Sequence, residues 1–382
     1  MNLVWITLAD FRSFSSAELR PSPEGVTAIT GANGTGKTTL LEAVAYLGAQ
    51  RSFRNAAREH LVRTGTAQAL LRAELEREGS TTLVEALLPI TGRPKTQVNR
   101  QVARTRRELA AAVPFTAFTP DDVGIVQGPP AGRRELLDDL LHLIDPQGAR
   151  AIEDTERALR QRAALLRQAG GHLTAEVVTT LEVWDSRLAE AGTALANARE
   201  AATGMLRPLV AETYAALAGR GSSQSPSAVG VEISYRRSWS EDLLDALATS
   251  RSEDARRAAT TVGPHHDDLA IVLDHRDARY QGSQGEQRCL ALALRLAGHH
   301  LVTEIAGTAP ILLLDDVFSE LDPDRARALV RALPAGQALL TTAAELPSGL
   351  EVAEVVDIGK LAGASVSCAA AHELPGRIET AR

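Results

Sequence analysis

The octapeptide Gly31-Ala32-Asn33-Gly34-Thr35-Gly36-Lys37-Thr38 restricts the fold of this chain more than any other stretch. It follows a short branched apolar run, Val26–Thr30, that reads as a buried strand, and it opens onto Leu40–Leu47, which reads as a helix. Glycines at 31, 34 and 36 let the backbone turn its N–H groups toward one point. The N-terminus of the following helix adds its dipole, so that point attracts anions. Lys37 would reach the β and γ phosphates of a nucleotide, Thr38 would set its hydroxyl on Mg²⁺, and Ala32, Asn33, Thr35 and Thr39 complete the expected binding loop. A glycine-rich turn that happens to hold a lysine is the alternative, but it leaves the flanking strand and helix without a reason. ATP and Mg²⁺ are therefore the expected cofactors.

Ile311–Leu314 is another buried-strand run, and it ends in Asp315-Asp316. Parallel sheets bind ligands beyond the C-terminal ends of their strands, so both carboxylates would arrive beside the phosphate loop. Asp315 would hold Mg²⁺ through a bound water. Asp316 would orient or deprotonate the attacking water, since phosphoryl transfer asks mainly for positioning and charge stabilisation. Lys37, Asp315 and Asp316 form the candidate catalytic set, with a helix cap, or an acceptor that only orients a neighbouring group, as the other role open to Asp316. An Asp where many ATPases carry the longer Glu implies slow turnover. Because the loop and the aspartates stand near opposite ends of the 382 residues, one α/β head has to be assembled from both ends of the chain.

Between these elements the hydrophobic period changes. Ala69, Leu71, Ala73 and Leu75, then Thr82, Val84 and Ala86, alternate around a Glu78-Gly79-Ser80 turn, which predicts an antiparallel flap; Leu3–Leu8 reads as one more buried strand. Leu181, Trp184, Leu188, Ala191, Leu195, Ala198, Ala202, Met205 and Leu209 fall at steps of three and four, a heptad seam that needs a partner. Ile152, Leu159, Ala163 and Leu166 supply one, with Gly170-Gly171 as the turn. The expectation is a short antiparallel helical hairpin, either the core of a helical subdomain or an extended arm. Gly219–Gly230 reads as a linker. The expected division is 1–130 for the N-terminal part of the head with its flap, 131–255 for the helical lobe and 256–382 for the C-terminal part of the head.

With 44% hydrophobic and 23% charged residues, no run of roughly 18 apolar residues and no basic, cleavable start, the chain is expected to be soluble and cytoplasmic, with no membrane partner. Cys289 and Cys368 belong to no CxxC pair, so neither a disulfide framework nor a zinc site is indicated. A net charge of -7 argues against wholesale attraction to nucleic acid, but not against one basic face.

Ser283-Gln284-Gly285-Glu286-Gln287, ahead of a helix expected over Arg288–Leu296, resembles the signature loop of ABC-type ATPases. In such heads this loop contacts the γ phosphate held by a second head, which makes Ser283 and Gly285 nucleotide ligands; a polar helix cap is the alternative. Ser319-Glu320-Leu321-Asp322 resembles the D-loop of the same heads, with a simple Asp-Pro turn as the competing view. Ala343 stands where a switch histidine is expected, and Gln127 is the candidate for the glutamine of the Q-loop.

Taken together with Arg51-Ser52-Phe53-Arg54, Phe118-Thr119-Pro120-Asp121-Asp122, Arg133-Arg134 before Leu137-Asp138, and Gly263-Pro264-His265-His266-Asp267-Asp268-Leu269, these motifs resemble the RecF family over nearly the whole chain. RecF proteins are recombination-mediator ATPases of the SMC-like ABC branch. His266 and Glu286 depart from the family's usual Arg and Gln. The resemblance implies an ABC-type head without a long coiled coil and an ATP-dependent homodimer on double-stranded DNA at single-strand/duplex junctions. It also implies RecR and RecO as partners in loading recombinase, and weak DNA-stimulated ATP hydrolysis. The nucleotide-binding subunit of an ABC transporter is the alternative of another class, and a scaffold that uses ATP only as glue is a third.

Two basic groups are candidates for DNA phosphates: Arg93, Lys95, Arg100, Arg104, Arg106 and Arg107, with no acid among them, and Arg51, Arg54, Arg58 and Arg63. Solvated surface charge is the competing view. No aromatic residues interleave with them, which favours duplex backbone over single-strand stacking. His265 and His266 beside Asp267 and Asp268 could be metal ligands, but adjacent side chains on an extended segment face opposite ways, so a structural segment is the preferred view.

Overall fold

The computed structural model describes residues 1–218, 230–240 and 242–361, so the expected linker lies outside the described residues except for Gly230, and so does Cys368. In chain order, β1 (Asn2–Phe11) and β2 (Phe14–Leu19) precede β3 (Gly25–Thr30), which runs through the phosphate loop into α1 (Lys37–Ala49). Next come β4 (Gln68–Arg77), β5 (Ser80–Pro89), β6 (Lys95–Val98), β7 (Gln101–Val102), α2 (Arg106–Ala112), β8 (Phe115–Phe118) and α3 (Val123–Gln127). The helical stretch is α4 (Pro130–Ile144), α5 (Pro146–Ala169) and α6 (Ala175–Leu217). After it stand β9 (Val231–Arg236), α7 (Leu243–Arg257), β10 (Asp268–Leu273), β11 (Arg276–Asp277), α8 (Ala278–Gln281) and α9 (Gln284–Ala306). The described residues end with β12 (Ile311–Asp315), α10 (Pro323–Ala332), β13 (Gln337–Thr342), β14 (Val352–Asp357) and α11 (Ile358–Leu361).

A five-stranded parallel sheet, ordered β14-β3-β13-β12-β8, takes two strands from before the helical stretch and three from after it, so the head is built from both ends of the chain. Its central strands β12 and β13 are buried throughout, as strands covered on both faces require, while the edge strand β14 alternates half-buried and exposed residues. The register sets Thr30 beside Thr342 and Asp315 beside Thr341, which brings the end of β3 and the acidic end of β12 to one edge. The flap is a six-stranded antiparallel sheet, β2-β1-β4-β5-β6-β7. Its strand β1 corrects one expectation: Leu3, Ile6, Leu8 and Phe11 are buried while their neighbours are half-exposed, the alternation of a sheet with one dry face rather than of a fully buried strand.

Helices α5 and α6 form the antiparallel hairpin, turning at Gly170 and Gly171, both with positive φ. The seam on α6 departs from strict heptads. Leu181, Leu188, Leu195 and Ala202 are buried as expected, but Met205 is exposed and the buried stripe passes to Leu206 and Val210. An unsupercoiled helix has 3.6 residues per turn, so a 3.5-residue seam drifts about 20° per heptad and ends on the next residue. This helix is no projecting arm: it packs on α5, α7, α9 and β9, and it shares a core with Leu290 and Leu294 of the head. On α5 the seam is Ile152, Thr155, Ala158, Arg162 and Leu166, with Leu159 and Ala163 to one side. Arg162 is fully buried and bonds Asp185 and Asp254, each at 2.7 Å, pinning α5 to α6 and α7.

The signature helix α9 begins at Gln284 and reaches Ala306, longer at both ends than the sequence suggested. It is long and apolar enough to cross a membrane, yet Cys289–Leu294, Leu296 and Ala297 are buried in the protein core, which accounts for that composition.

Candidate nucleotide site

The phosphate loop needs its glycines for two reasons. Gly31 (φ +152°) and Gly36 (φ +100°) adopt backbone conformations that side chains disfavour, and a β-carbon would lie 2.6 Å from Ile358 Cγ2 at the first and 2.8 Å from the Phe14 ring at the second. The loop is thereby wedged between α11 and the start of β2, while Gly34, at its tip, faces open space. Lys37 is buried, and its Nζ donates to the carbonyls of Gly31 and Ala32, each at 2.8 Å. Thr35 closes the loop with a 2.7 Å bond from its hydroxyl to the Ala32 carbonyl, and Asn33 is exposed beside it. Thr39, expected to bind nucleotide, is buried behind the loop with its N–H on the Gly36 carbonyl, which secures the start of α1.

Asp315 Oδ1 accepts from the hydroxyls of Thr38 (2.8 Å) and Thr341 (2.7 Å). Burial pushes its carboxyl above the ordinary value, and the two hydroxyls pull the other way. Asp316 has a left-handed backbone (φ 48°) held by its N–H on the Thr341 carbonyl and hydroxyl, each at 3.1 Å. Its side chain caps no helix, and its Oδ1 is buried without a hydrogen-bond partner among the described residues. Strained backbone and an unpaired buried carboxylate oxygen mark a place held ready for a ligand. One hydroxyl and one carboxylate oxygen, with no sulfur or imidazole, suit a hard cation that keeps most of its water and phosphate ligands. The residues present fit a magnesium nucleotide. Thr341 was not expected from sequence; a threonine pair at the end of a buried strand is the signal that could have found it.

Arg51 and Arg54, expected at DNA phosphates, stand beside acids of their own chain. Arg51 is paired with Glu135 and with Asp139 (2.6 Å), which neutralises it inside the chain, and Arg54 lies close enough to Asp315 to lower that carboxyl. A second missed residue anchors this stretch: fully buried Glu42 of α1 takes the Ser52 hydroxyl and two bonds from Arg12. A lone glutamate inside Leu40–Leu47 was its trace. A cavity of about 480 Å³ lined by Arg51, Leu136, His142 and Arg295 shares no residue with the phosphate loop. Arg93, Lys95, Arg100 and Arg104 are exposed along the β6–β7 edge of the flap, and their side chains make no ion pair among the described residues.

Ser283 is exposed and caps α9: its hydroxyl accepts from the Glu286 N–H (3.3 Å), and the Glu286 carboxylate accepts from the Ser283 N–H (2.8 Å). Glu286 therefore does more than replace a Gln, since its charge also faces the positive end of the helix. Gln127 donates to Gln287 at 2.6 Å, which ties it to the signature helix. Asp322 caps α10 and Pro323 is its first residue, so the turn reading of this segment is realised whatever else it does. Both His265 and His266 place Nε2 on the Thr260 carbonyl, at 3.0 and 3.1 Å, and burial pushes His265 down to about 4. Around them Arg133 forks onto Asp268 (2.7 and 3.0 Å) and Arg199 onto Asp138 (2.8 Å twice), joining α4, α6 and β10. No hydrogen bond among the described residues links Gly31–Thr38 to Ser283–Gln287.

Comparison with known proteins agrees with this geometry. The family model described as RecF/RecN/SMC N terminal domain matches residues 2–343. The DNA replication and repair protein RecF of Frankia alni is 40% identical over 359 residues, covering 90% of this chain and 94% of the relative. That of Streptomyces avermitilis is 38% identical over 354 residues with the same coverage. A solved structure of the recombination mediator protein RecF with ATP superposes with a TM-score of 0.81 at 27% identity, covering 92% of this chain and 93% of that one. The Smc head domain from Pyrococcus furiosus, 17% identical with a TM-score of 0.50 and 90% of each chain covered, shares the fold alone.

Proposed function

This chain belongs to the RecF family of DNA replication and repair proteins, and from that membership we propose that it is a cytoplasmic recombination mediator in which ATP joins two copies on DNA. ATP would be bound by Gly31–Thr38, with the Lys37 ammonium leaving its two carbonyls for the phosphates. Thr38 and Asp315 would hold Mg²⁺, which supplies charge neutralisation at the phosphate oxygens. Asp316 would take a proton from, or orient, the attacking water through the buried oxygen that has no other partner.

The observation that carries the two-copy reading is the separation just described: the second anion-binding helix end, with Ser283 exposed and Gly285 half-buried, has no hydrogen bond to the phosphate loop of its own chain among the described residues. A second copy would complete each site, and hydrolysis would be weak and stimulated by DNA. Duplex DNA beside a single-strand gap would lie on the basic β6–β7 edge, whose unpaired Arg93, Lys95, Arg100 and Arg104 suit backbone phosphates rather than bases. RecR and RecO are the proposed partners in loading recombinase, in keeping with the RecFOR pathway named for the solved relative. The test is the mass in solution with ATP and gapped duplex, beside single-turnover hydrolysis. A wild-type chain that stays monomeric, or hydrolysis no faster with DNA or than in Asp315→Asn, overturns the reading.

A further inference from the structure

Gly285 has no backbone reason to be glycine. It lies in the first turn of α9 with no positive φ, where glycine costs helix stability relative to alanine. What lies there is a side chain: a β-carbon would sit 2.2 Å from Nη1 of Arg325 and 2.9 Å from both Cζ and Nη2. The guanidinium of α10 thus occupies the side-chain position of the signature glycine. Its carboxylate partner is Asp322, 3.4 Å away, whose Oδ1 is already engaged by the N–H groups of Asp324 (3.1 Å) and Arg325 (3.0 Å). The bridge is long and its side chains are 35% and 50% exposed, so Arg325 is held loosely. Neighbouring cations are committed elsewhere: Arg288 pairs with Glu320 at 2.6 Å, and Arg279 donates to the Gln127 carbonyl at 3.0 Å.

We infer that Arg325 is a phosphate ligand acting on the second copy: beside the Ser283 hydroxyl and the Gly285 N–H, its fork meets the γ phosphate held by the partner's phosphate loop. This rests on the ATP-joined reading above. A guanidinium delivers two parallel N–H bonds to a phosphate, and it is less hydrated than an ammonium, so exchanging a loosely paired surface carboxylate for a phosphate costs little. In making that exchange Arg325 releases the second oxygen of Asp322, so filling the signature loop is felt at the Ser319–Asp322 turn that follows the catalytic aspartates.

The experiment uses full-length chains in mixed dimers with gapped duplex. Arg325→Gln alone should keep the ATP affinity of the single chain, since no phosphate-loop contact is touched, and lose about a hundredfold in hydrolysis at saturating ATP. Arg325→Lys should recover part of that loss. Lys37→Ala, inactive alone, is then mixed with Arg325→Gln or, in a parallel arm, with Ser283→Arg. A mixed dimer holds one intact site only if the second substituted group acts across the interface, so recovery of hydrolysis in both mixtures supports the inference. Recovery with Ser283→Arg but not with Arg325→Gln overturns it and leaves the ATP-joined reading intact. Recovery in neither overturns that reading and the inference with it.

Discussion

The phosphate loop and the signature loop are both helix N-termini that attract anions, yet they are finished in opposite ways. At the first, Lys37 is buried on two carbonyls and Asp315 is gripped by two threonine hydroxyls across the parallel sheet. At the second, Ser283 is exposed and its bonds only close the first turn of its own helix. A site whose groups are arranged within one chain can bind its ligand alone; a site that ends at the surface needs another molecule to become complete. Binding and hydrolysis should therefore separate under substitution.

The largest effect should come from the buried side. Lys37→Ala leaves the loop carbonyls without their ammonium and removes the charge that meets the phosphates, so binding of a fluorescent ATP analogue should fall below detection. Hydrolysis should drop about a thousandfold or more, as should that of Asp315→Asn in a phosphate-release assay. Wild-type binding by Lys37→Ala would break the contrast at once. On the exposed side, Ser283→Arg should cost about a hundredfold in hydrolysis while leaving that binding unchanged, and ATP should no longer double the mass in solution. A loss of binding in Ser283→Arg would show that the two loops are not independent within one chain.

The same contrast decides how much was legible beforehand. The phosphate loop, the two aspartates and the head assembled from both chain ends could be read because each depends on local pattern: glycines that permit a turn, and apolar runs that end in acids. What escaped was set by distant pairing. Thr341 reaches Asp315 only because β13 lies beside β12, Glu42 is answered by Arg12 and Ser52, and Arg162 sits in an apolar seam because Asp185 and Asp254 arrive from two other helices. Removing the charge of Arg162 alone would leave buried Asp254 with no cationic partner among the described residues and Asp185 with Arg251 only, a loss of about 3–5 kcal/mol by thermal or denaturant unfolding. Periodicity also misled at the end of α6, where a seam of 3.5 residues was laid on a helix of 3.6 residues per turn.

A smaller effect probes the electrostatics of the buried side. Burial raises the Asp315 carboxyl above the ordinary value of 3.8, so the native chain holds this proton better than the unfolded chain. The associated stability is present at low pH and is lost as pH rises through the folded value. Magnesium binding runs the other way, because it needs the carboxylate. Mg²⁺-dependent nucleotide binding should therefore fail on acidification at a pH above that of an exposed aspartate. Thr341→Val removes a hydroxyl that stabilises the charged form, so the midpoint should move up. An unmoved midpoint would show that the 2.7 Å contact does not govern this carboxylate.

The smallest expected effect separates two kinds of arginine that look alike in sequence. Arg100, unpaired at the β6–β7 edge, should contribute one phosphate contact at most: Arg100→Ala should weaken duplex binding by a few-fold and lower the slope of log affinity against log salt by about 1. Arg51 carries the same charge but spends it on Glu135 and Asp139, so Arg51→Ala should leave the salt slope unchanged and instead cost up to about 1 kcal/mol of stability. Fluorescence anisotropy across a salt series reads the first quantity and denaturant unfolding the second. If Arg51→Ala flattened the slope and Arg100→Ala did not, the DNA path would run along the cleft between α1 and α4 rather than over the flap. The exposed and paired cations would then have to exchange roles.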